Sequence, residues 1–248
     1  VAAGDRWGHQ GPDTRAQLWD AQTGGVVATL AGHAPNTRVL SVAFSPDAAR
    51  VATTSGDRTA RVWETATGKE VCVLGGHAGP VGVACFSPDG TRVVTAGEDW
   101  AARVWDVSTG GLLRALYHQS ALVSAAFFGP DGTNVVTAAG DGVRVWDVVT
   151  GDQPAPLDHS ARPDFAAFTP DGTRVVTATG RDGVRVWDAA TGRELSAYRW
   201  NRNGPLAWWT AVGPGATRLV SGEGKAVAVR DVKTGSVVAT FAGHAGEI

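Results

Sequence analysis

The chain has 248 residues, a formal net charge of −2 and a pI near 6.3, so it lacks the basic balance that nucleic-acid binders carry. No apolar run approaches the ~18 residues needed to cross a bilayer as a helix, and the opening Val1-Ala2-Ala3-Gly4-Asp5 lacks the basic start of a secretory signal. The two cysteines, Cys72 and Cys85, read as small buried hydrophobes in successive strands in a reducing, cytoplasmic setting, and the absence of methionine is expected of an excised or processed piece of a longer chain.

The first predicted unit, about residues 1–30, opens in a strand at Val1–Ala3 and continues through a long turn from Asp5 to Asp13. It ends a further strand at Leu18-Trp19-Asp20, turns at Thr23-Gly24 and closes with an outer strand before Gly32-His33. The same order returns at about 39–74 (Val62-Trp63-Glu64), 81–116 (Val104-Trp105-Asp106), 123–157 (Val145-Trp146-Asp147) and 164–198 (Val186-Trp187-Asp188). A worn copy, with Val229-Arg230-Asp231, occupies about 206–241. The landmarks at 19, 63, 105, 146, 187 and 230 are 41 to 44 residues apart. So regular a period means one supersecondary unit copied end to end, each copy burying its apolar face against its neighbours.

Within a copy, short β-branched and aromatic runs are separated by turn residues, which predicts an antiparallel meander. Ser87-Pro88-Asp89-Gly90 suits a type I turn, and it recurs at Ser45-Pro46-Asp47, Gly129-Pro130-Asp131-Gly132 and Thr169-Pro170-Asp171-Gly172. A tight acidic turn follows, at Gly56-Asp57, Gly97-Glu98-Asp99, Gly140-Asp141-Gly142 and Arg181-Asp182-Gly183, and then a Thr-Gly pair in all six copies. The fourth strand is the outer edge, because one copy holds Pro154 and Pro156, and proline is tolerated only where no ladder N–H is needed.

Gly-His about 30 residues before Trp-Asp, with Ser-Pro-Asp-Gly and an acidic turn between, resembles the WD-repeat β-propeller family, over essentially the whole chain. Such near-identical copies are similar to bacterial members, in which the propeller ends a larger regulatory protein such as a signalling ATPase or kinase. The resemblance implies an all-β propeller of four-stranded antiparallel blades, forming one domain over 1–248. The chain would hold five complete blades and one lacking its inner strand. A six-bladed ring closed by a continuation and a slice of a seven-bladed or larger array both remain open, and Gly243-His244, where blade one wants its own His, fits six.

The resemblance also implies a hydrogen-bonded set in each blade. By position these are His33, Thr53, Asp57 and Trp63; His77, Thr95, Asp99 and Trp105; His118, Thr137, Asp141 and Trp146; and His159, Thr177, Asp182 and Trp187. Ser/Thr–His–Asp invites a hydrolase reading, but a triad needs one strained nucleophile beside an oxyanion hole, and here the same set repeats at the same spacing. Leaving such groups buried and unpaired costs about 1–3 kcal/mol each, which accounts for the set without a reaction. The histidines fall one per blade and no Cys-x-x-Cys or His-x-x-x-His spacing occurs, so no metal and no cofactor are expected.

Departures from the repeat mark the candidate partner site. Blade six lacks the Trp, the turn Asp and the His, and carries Arg199, Trp200, Arg202 and Trp208 around its outer-to-inner loop. Trp7 and His9 lie in the long first turn, and Trp100 and Arg181 sit in other turns of the same rim. Exposed Trp and Arg dominate interface hot spots. The reading is a non-catalytic protein-interaction scaffold or signalling sensor that binds a protein or peptide, not nucleic acid or membrane, through the rim of Gly-His loops and acidic turns. The alternatives are a purely architectural propeller, natural or engineered, without a specific ligand, and an enzyme with a site in the channel or on the rim.

Overall fold

The computed structural model describes residues 15–119, 122–153, 156, 157, 159, 163, 165–179, 183–198, 207–212, 217–223, 226–232, 234 and 236–242. Every regular element among them is a β-strand, and the pairings are antiparallel between strands consecutive in sequence. The chain is all-β, built of the four-stranded antiparallel blades of a propeller. It divides into two compact units, Val1–Phe128 and Gly129–Ile248. The expected opening strand Val1–Ala3, the long turn Asp5–Asp13 and the Gly243-His244 pair lie outside the described residues.

In the first unit, β1 (Arg15–Trp19) pairs with β2 (Val26–Ala31). Two four-stranded meanders follow: β3 (Val39–Phe44), β4 (Arg50–Ser55), β5 (Thr59–Glu64) and β6 (Glu70–Gly75), then β7 (Val81–Phe86), β8 (Arg92–Gly97), β9 (Ala101–Asp106) and β10 (Leu112–Tyr117). β11 (Val123–Phe128) ends the unit. The second unit opens with β12 (Asn134–Ala139), β13 (Gly142–Asp147) and the short β14 (Pro156–Leu157). It continues with β15 (Phe165–Phe168), β16 (Arg174–Thr179), β17 (Gly183–Asp188) and β18 (Glu194–Tyr198), and then β19 (Ala207–Val212), β20 (Arg218–Glu223), β21 (Ala226–Asp231) and β22 (Val237–Ala242).

The turns follow from side-chain chemistry. At the first, Gly90 N–H donates to Ser87 O at 2.9 Å, Asp89 Oδ1 accepts from Thr91 N at 3.0 Å, and Gly90 takes φ 69°. Hydrogen bonds from the Ser87 hydroxyl and Thr91 hold the Asp89 carboxyl down at about 2. Ala48 stands at the equivalent place with φ 56°, in the left-handed region that glycine adopts more readily. At the Thr-Gly turn, the Asp20 carboxylate accepts from Gln22 and Thr23 N–H at 2.9 and 2.8 Å, and Gly24 N–H closes onto Asp20 O at 2.8 Å. Asp106, Asp147, Asp188 and Asp231 accept the corresponding Thr N–H. A register shift against the fourth strand falls at Trp19, Trp63, Trp105, Trp187 and Arg230, a bulge with its extra residue on the fourth strand that adds local twist.

Packing explains the hydropathy of each strand. β8 is buried from Val93 to Gly97 and β9 from Ala101 to Trp105, covered on both faces, so their apolar residues run on instead of alternating. The outer strands bury little: in β2, β6 and β10 only Leu30, Leu74 and Leu116 are fully inside. Between the second and third repeats, Ala52, Ala60, Val62 and Leu74 pack with Val81, Ala84, Phe86, Val93 and Trp105. Ala16, Leu18 and Leu30 pack likewise with Val51 and Trp63, and in the second unit Val176, Val184 and Val186 pack with Leu219 and Val232. Contact is close enough to demand glycine: a Cβ on Gly68, whose φ is 68°, would fall 2.7 Å from Ala28 Cβ. The Thr-Gly turn of one repeat thus rides on the outer strand of the repeat before it.

Candidate functional site

The acidic turn, the Gly-His loop and the second and third strands meet at one end of the second and third repeats. In the second repeat, His33 Nδ1 lies 2.9 Å from Asp57 Oδ2 and His33 Nε2 lies 2.8 Å from Thr53 Oγ1. The indole N–H of Trp63 donates to the same Thr53 oxygen at 2.9 Å. A carboxylate only accepts, so Nδ1 carries the hydrogen; the Thr53 oxygen already takes the indole N–H, so its own hydrogen points to Nε2. The proton order Trp63 → Thr53 → His33 → Asp57 uses every polar group and leaves the imidazole neutral.

The third repeat has the same frame. His77 Nδ1 lies 2.8 Å from Asp99 Oδ1, His77 Nε2 lies 2.7 Å from Thr95 Oγ1, and Trp105 donates to Thr95 at 2.8 Å. Asp99 also accepts from Ala78 N–H at 2.9 Å, as Asp57 does from Ala34 N–H, which ties each Gly-His loop to its turn. Both imidazoles are depressed below the ordinary histidine range, first by burial, which outweighs the neighbouring carboxylate. Burial alone would raise Asp57, but hydrogen bonds from Thr59, Ala34 N–H and His33 bring it to about 2.

In the second unit, Trp146 donates to Thr137 at 2.7 Å and Trp187 to Thr177 at 2.8 Å. The His159 ring stands edge-on to Trp187 with centroids 5.1 Å apart. Asp182 lies outside the described residues, and His118, buried, belongs to the first unit. Among the described residues no three His, Cys, Asp or Glu side chains come together as a metal site. No helix among them is long and apolar enough to cross a membrane.

One participant was not singled out from the sequence: the arginine two places before Trp63, Trp105, Trp146 and Trp187. Arg61 and Arg185 pair with Glu70 and Glu194 at the start of the outer strand, whereas Arg103 and Arg144 pair with the turn carboxylates Asp99 and Asp141. The reason is local. Asp57 is served by the Thr59 hydroxyl at 2.7 Å, while Ala101 stands in that place beside Asp99. Trp63 and Trp187 face Glu70 and Glu194 across the ladder, but Trp105 faces Leu112, so Arg103 has no outer acid to reach.

Of the candidate rim residues, Trp100 is described: it is 52 % exposed and has φ 61°. Its counterpart in the second repeat, Arg58, is also exposed, with φ 71°. By ladder register Gly142 and Gly183 stand where Thr59 and Ala101 do, at the first position of the third strand. A side chain held in the conformation of Trp100 and Arg58 costs about 1–2 kcal/mol, so the second and third repeats both carry strain at this turn. Trp7, His9, Arg181, Arg199, Trp200 and Arg202 lie outside the described residues, and Trp208 is placed only as a backbone position in β19.

The family model of the WD domain, G-beta repeat, matches residues 24–64, 68–106 and 110–147. The chain belongs to the WD-repeat family. A WD repeat so delimited begins with the outer strand of one sheet and ends with the third strand of the next: the first takes β2 with β3, β4 and β5, the second β6 with β7, β8 and β9. Consecutive sheets are therefore stitched together by the repeat itself. A chain in the crystal structure of the mitotic checkpoint complex has the same fold, with a TM-score of 0.81 at 19 % identity over 95 % of this chain and 74 % of that one. No curated protein matches this WD-repeat chain.

Proposed function

We propose that this WD-repeat chain is a non-catalytic interaction scaffold or sensor, cytoplasmic, that binds a protein or peptide through the rim of Gly-His loops and acidic turns. The observation that carries the reading is the exposed Trp100, held in a left-handed conformation on that rim. Strained residues persist where the surroundings over-determine them, and they cluster at binding sites. A large aromatic offers contact area at little conformational cost, and Trp and Arg are the types that dominate hot spots.

Two observations speak against catalysis by the Thr–His–Asp sets. The His33 and His77 side chains are 1 % and 0 % exposed, and the Thr53 and Thr95 hydroxyls are buried beneath indoles to which they are already bonded. A nucleophile in that position meets no substrate. The net charge of −2 gives nucleic acid no attraction, and both cysteines are free thiols, as in a reducing compartment. The mitotic checkpoint complex likeness adds a rigid display scaffold to the argument, not a partner.

The test is a pull-down from the source lysate with the wild type, a Trp100→Gly variant and a Trp200→Ala, Arg202→Ala double variant. The reading expects specific partners for the wild type and their loss in at least one variant that still folds. Equal recovery by all three would move the site off this rim.

A further inference from the structure

We propose, resting on the rim reading above, that Arg58, Glu98 and Trp100 form one recognition site for an extended peptide that carries an acidic and a basic side chain a few residues apart. The two turns belong to consecutive repeats packed face to face in one unit. They are joined at this end by a short loop. Gly75 is the ladder partner of Thr59, so the loop leaves β6 directly beside Arg58. It arrives beside Glu98, whose N–H donates to Pro80 O at 3.0 Å. Five Cα steps from Gly75 to Pro80 reach at most about 19 Å, a distance that an extended peptide rising ~3.3 Å per residue covers in about six residues.

The chemistry at the two ends is opposite. The Arg58 guanidinium is exposed and has no hydrogen bond or ion pair among the described residues, which leaves its planar fork open to a carboxylate. Glu98, exposed and likewise unengaged, stands two residues from the Trp100 indole. A cation is attracted to the face of an indole, and the carboxylate adds to that attraction, so a lysine or arginine side chain suits this end. A peptide laid in the reverse sense would put its acid against Glu98 and its base against Arg58, so the charges set direction as well as register. In the fourth and fifth repeats the residue after the turn aspartate is glycine, so neither group recurs there in the sequence, which confines the site to the second and third repeats.

The experiment is selection of a display library of random linear octapeptides on the immobilised wild-type chain, with enriched peptides then titrated against Arg58→Gly, Trp100→Gly and the double variant. Arg58 and Trp100 hold φ of 71° and 61°, which glycine adopts without the steric cost of a side chain, so the variants should melt at or above the wild-type temperature. The proposal expects enriched peptides to share an acidic and a basic residue within about six positions, and to bind the double variant at least tenfold more weakly. Arg58→Gly should erase the preference for the acid, and Trp100→Gly that for the base. Peptides that lose binding in the double variant but lack the charge pair would overturn this chemistry while leaving the rim reading standing. Peptides that bind all variants equally, or no enrichment at all, would overturn both.

Discussion

Thr95 Oγ1 lies 2.7 Å from His77 Nε2, and the same oxygen accepts the Trp105 indole N–H. One buried hydroxyl therefore satisfies a group from the Gly-His loop and a group from the third strand. Replacing it with an isosteric methyl leaves two buried partners unmet, each costing about 1–3 kcal/mol. Thr95→Val should then lower stability in urea unfolding by about 3 kcal/mol, while Thr95→Ser, which keeps the oxygen, should lose under ~1.5 kcal/mol. Equal effects of Val and Ser would mean that the hydroxyl is not the link.

The two arginine settings make a second contrast. Arg103 and Asp99 are 10 % and 6 % exposed, whereas Arg61 and Glu70 are 18 % and 34 % exposed. Removing one member of a buried pair costs about 3–5 kcal/mol, because a charge is left behind without a partner; an exposed pair contributes about 0–1 kcal/mol. Arg103→Met should therefore be the more damaging change in thermal unfolding, and Arg61→Met the milder one. In a Leu112→Glu background, which supplies an outer-strand acid, Asp99→Asn should cost less than it does in the wild type, because the Arg103 guanidinium gains a second carboxylate to pair with.

Acid should weaken the fold in two stages. His33 and His77 titrate below the unfolded histidine value of about 6.5, so between the two values the unfolded chain binds more protons than the folded one. Their contribution is complete above about pH 6.5 and is lost as the pH falls through the folded values. Asp57 and Asp89, held at about 2, stabilise the fold above the usual aspartate range and cease to do so as the pH falls from 3.8 toward 2. Urea midpoints measured between pH 8 and pH 3 should fall first below about 6.5, then again below 4. A stability that rises on acidification from 7 to 5 would contradict the neutral imidazoles.

Glycine positions give opposite signs. Gly68→Ala meets Ala28 Cβ at 2.7 Å and must also hold φ 68°, so it should destabilise by at least ~2 kcal/mol. Ala48→Gly relieves the one alanine among the Ser-Pro-Asp turns that sits at φ 56°, against 69° to 72° for Gly90, Gly132 and Gly172. It should stabilise by up to ~1 kcal/mol, the strain released less the added freedom of the unfolded chain. Melting temperatures of the two variants test both signs together.

What the sequence made legible was whatever repetition amplifies. The Trp landmarks, the Ser-Pro-Asp-Gly and Thr-Gly turns and the outer-edge prolines each predict a local geometry, and together they predict the four-stranded antiparallel sheets that the structure has. The meeting of His33 with Thr53 and of His77 with Thr95 came through the family resemblance, since nothing in spacing alone brings residues 20 or 18 positions apart together. The arginine partners were missed although their signal is present: Glu70 and Glu194 stand where Leu112 stands in the third repeat, and Thr59 where Ala101 does. Arg58 was missed for a different reason. Its identity is ordinary for a surface turn, and only its backbone dihedral, a φ of 71°, marks it as strained.

The most direct test is a calorimetric titration of a partner purified from the pull-down against the wild-type chain and the Arg58→Gly, Trp100→Gly double variant. The account predicts a binding heat for the wild type, at least a tenfold weaker affinity for the variant, and a variant melting temperature no lower than that of the wild type. Unchanged affinity in a folded variant would contradict the assignment of partner binding to this stretch of the rim.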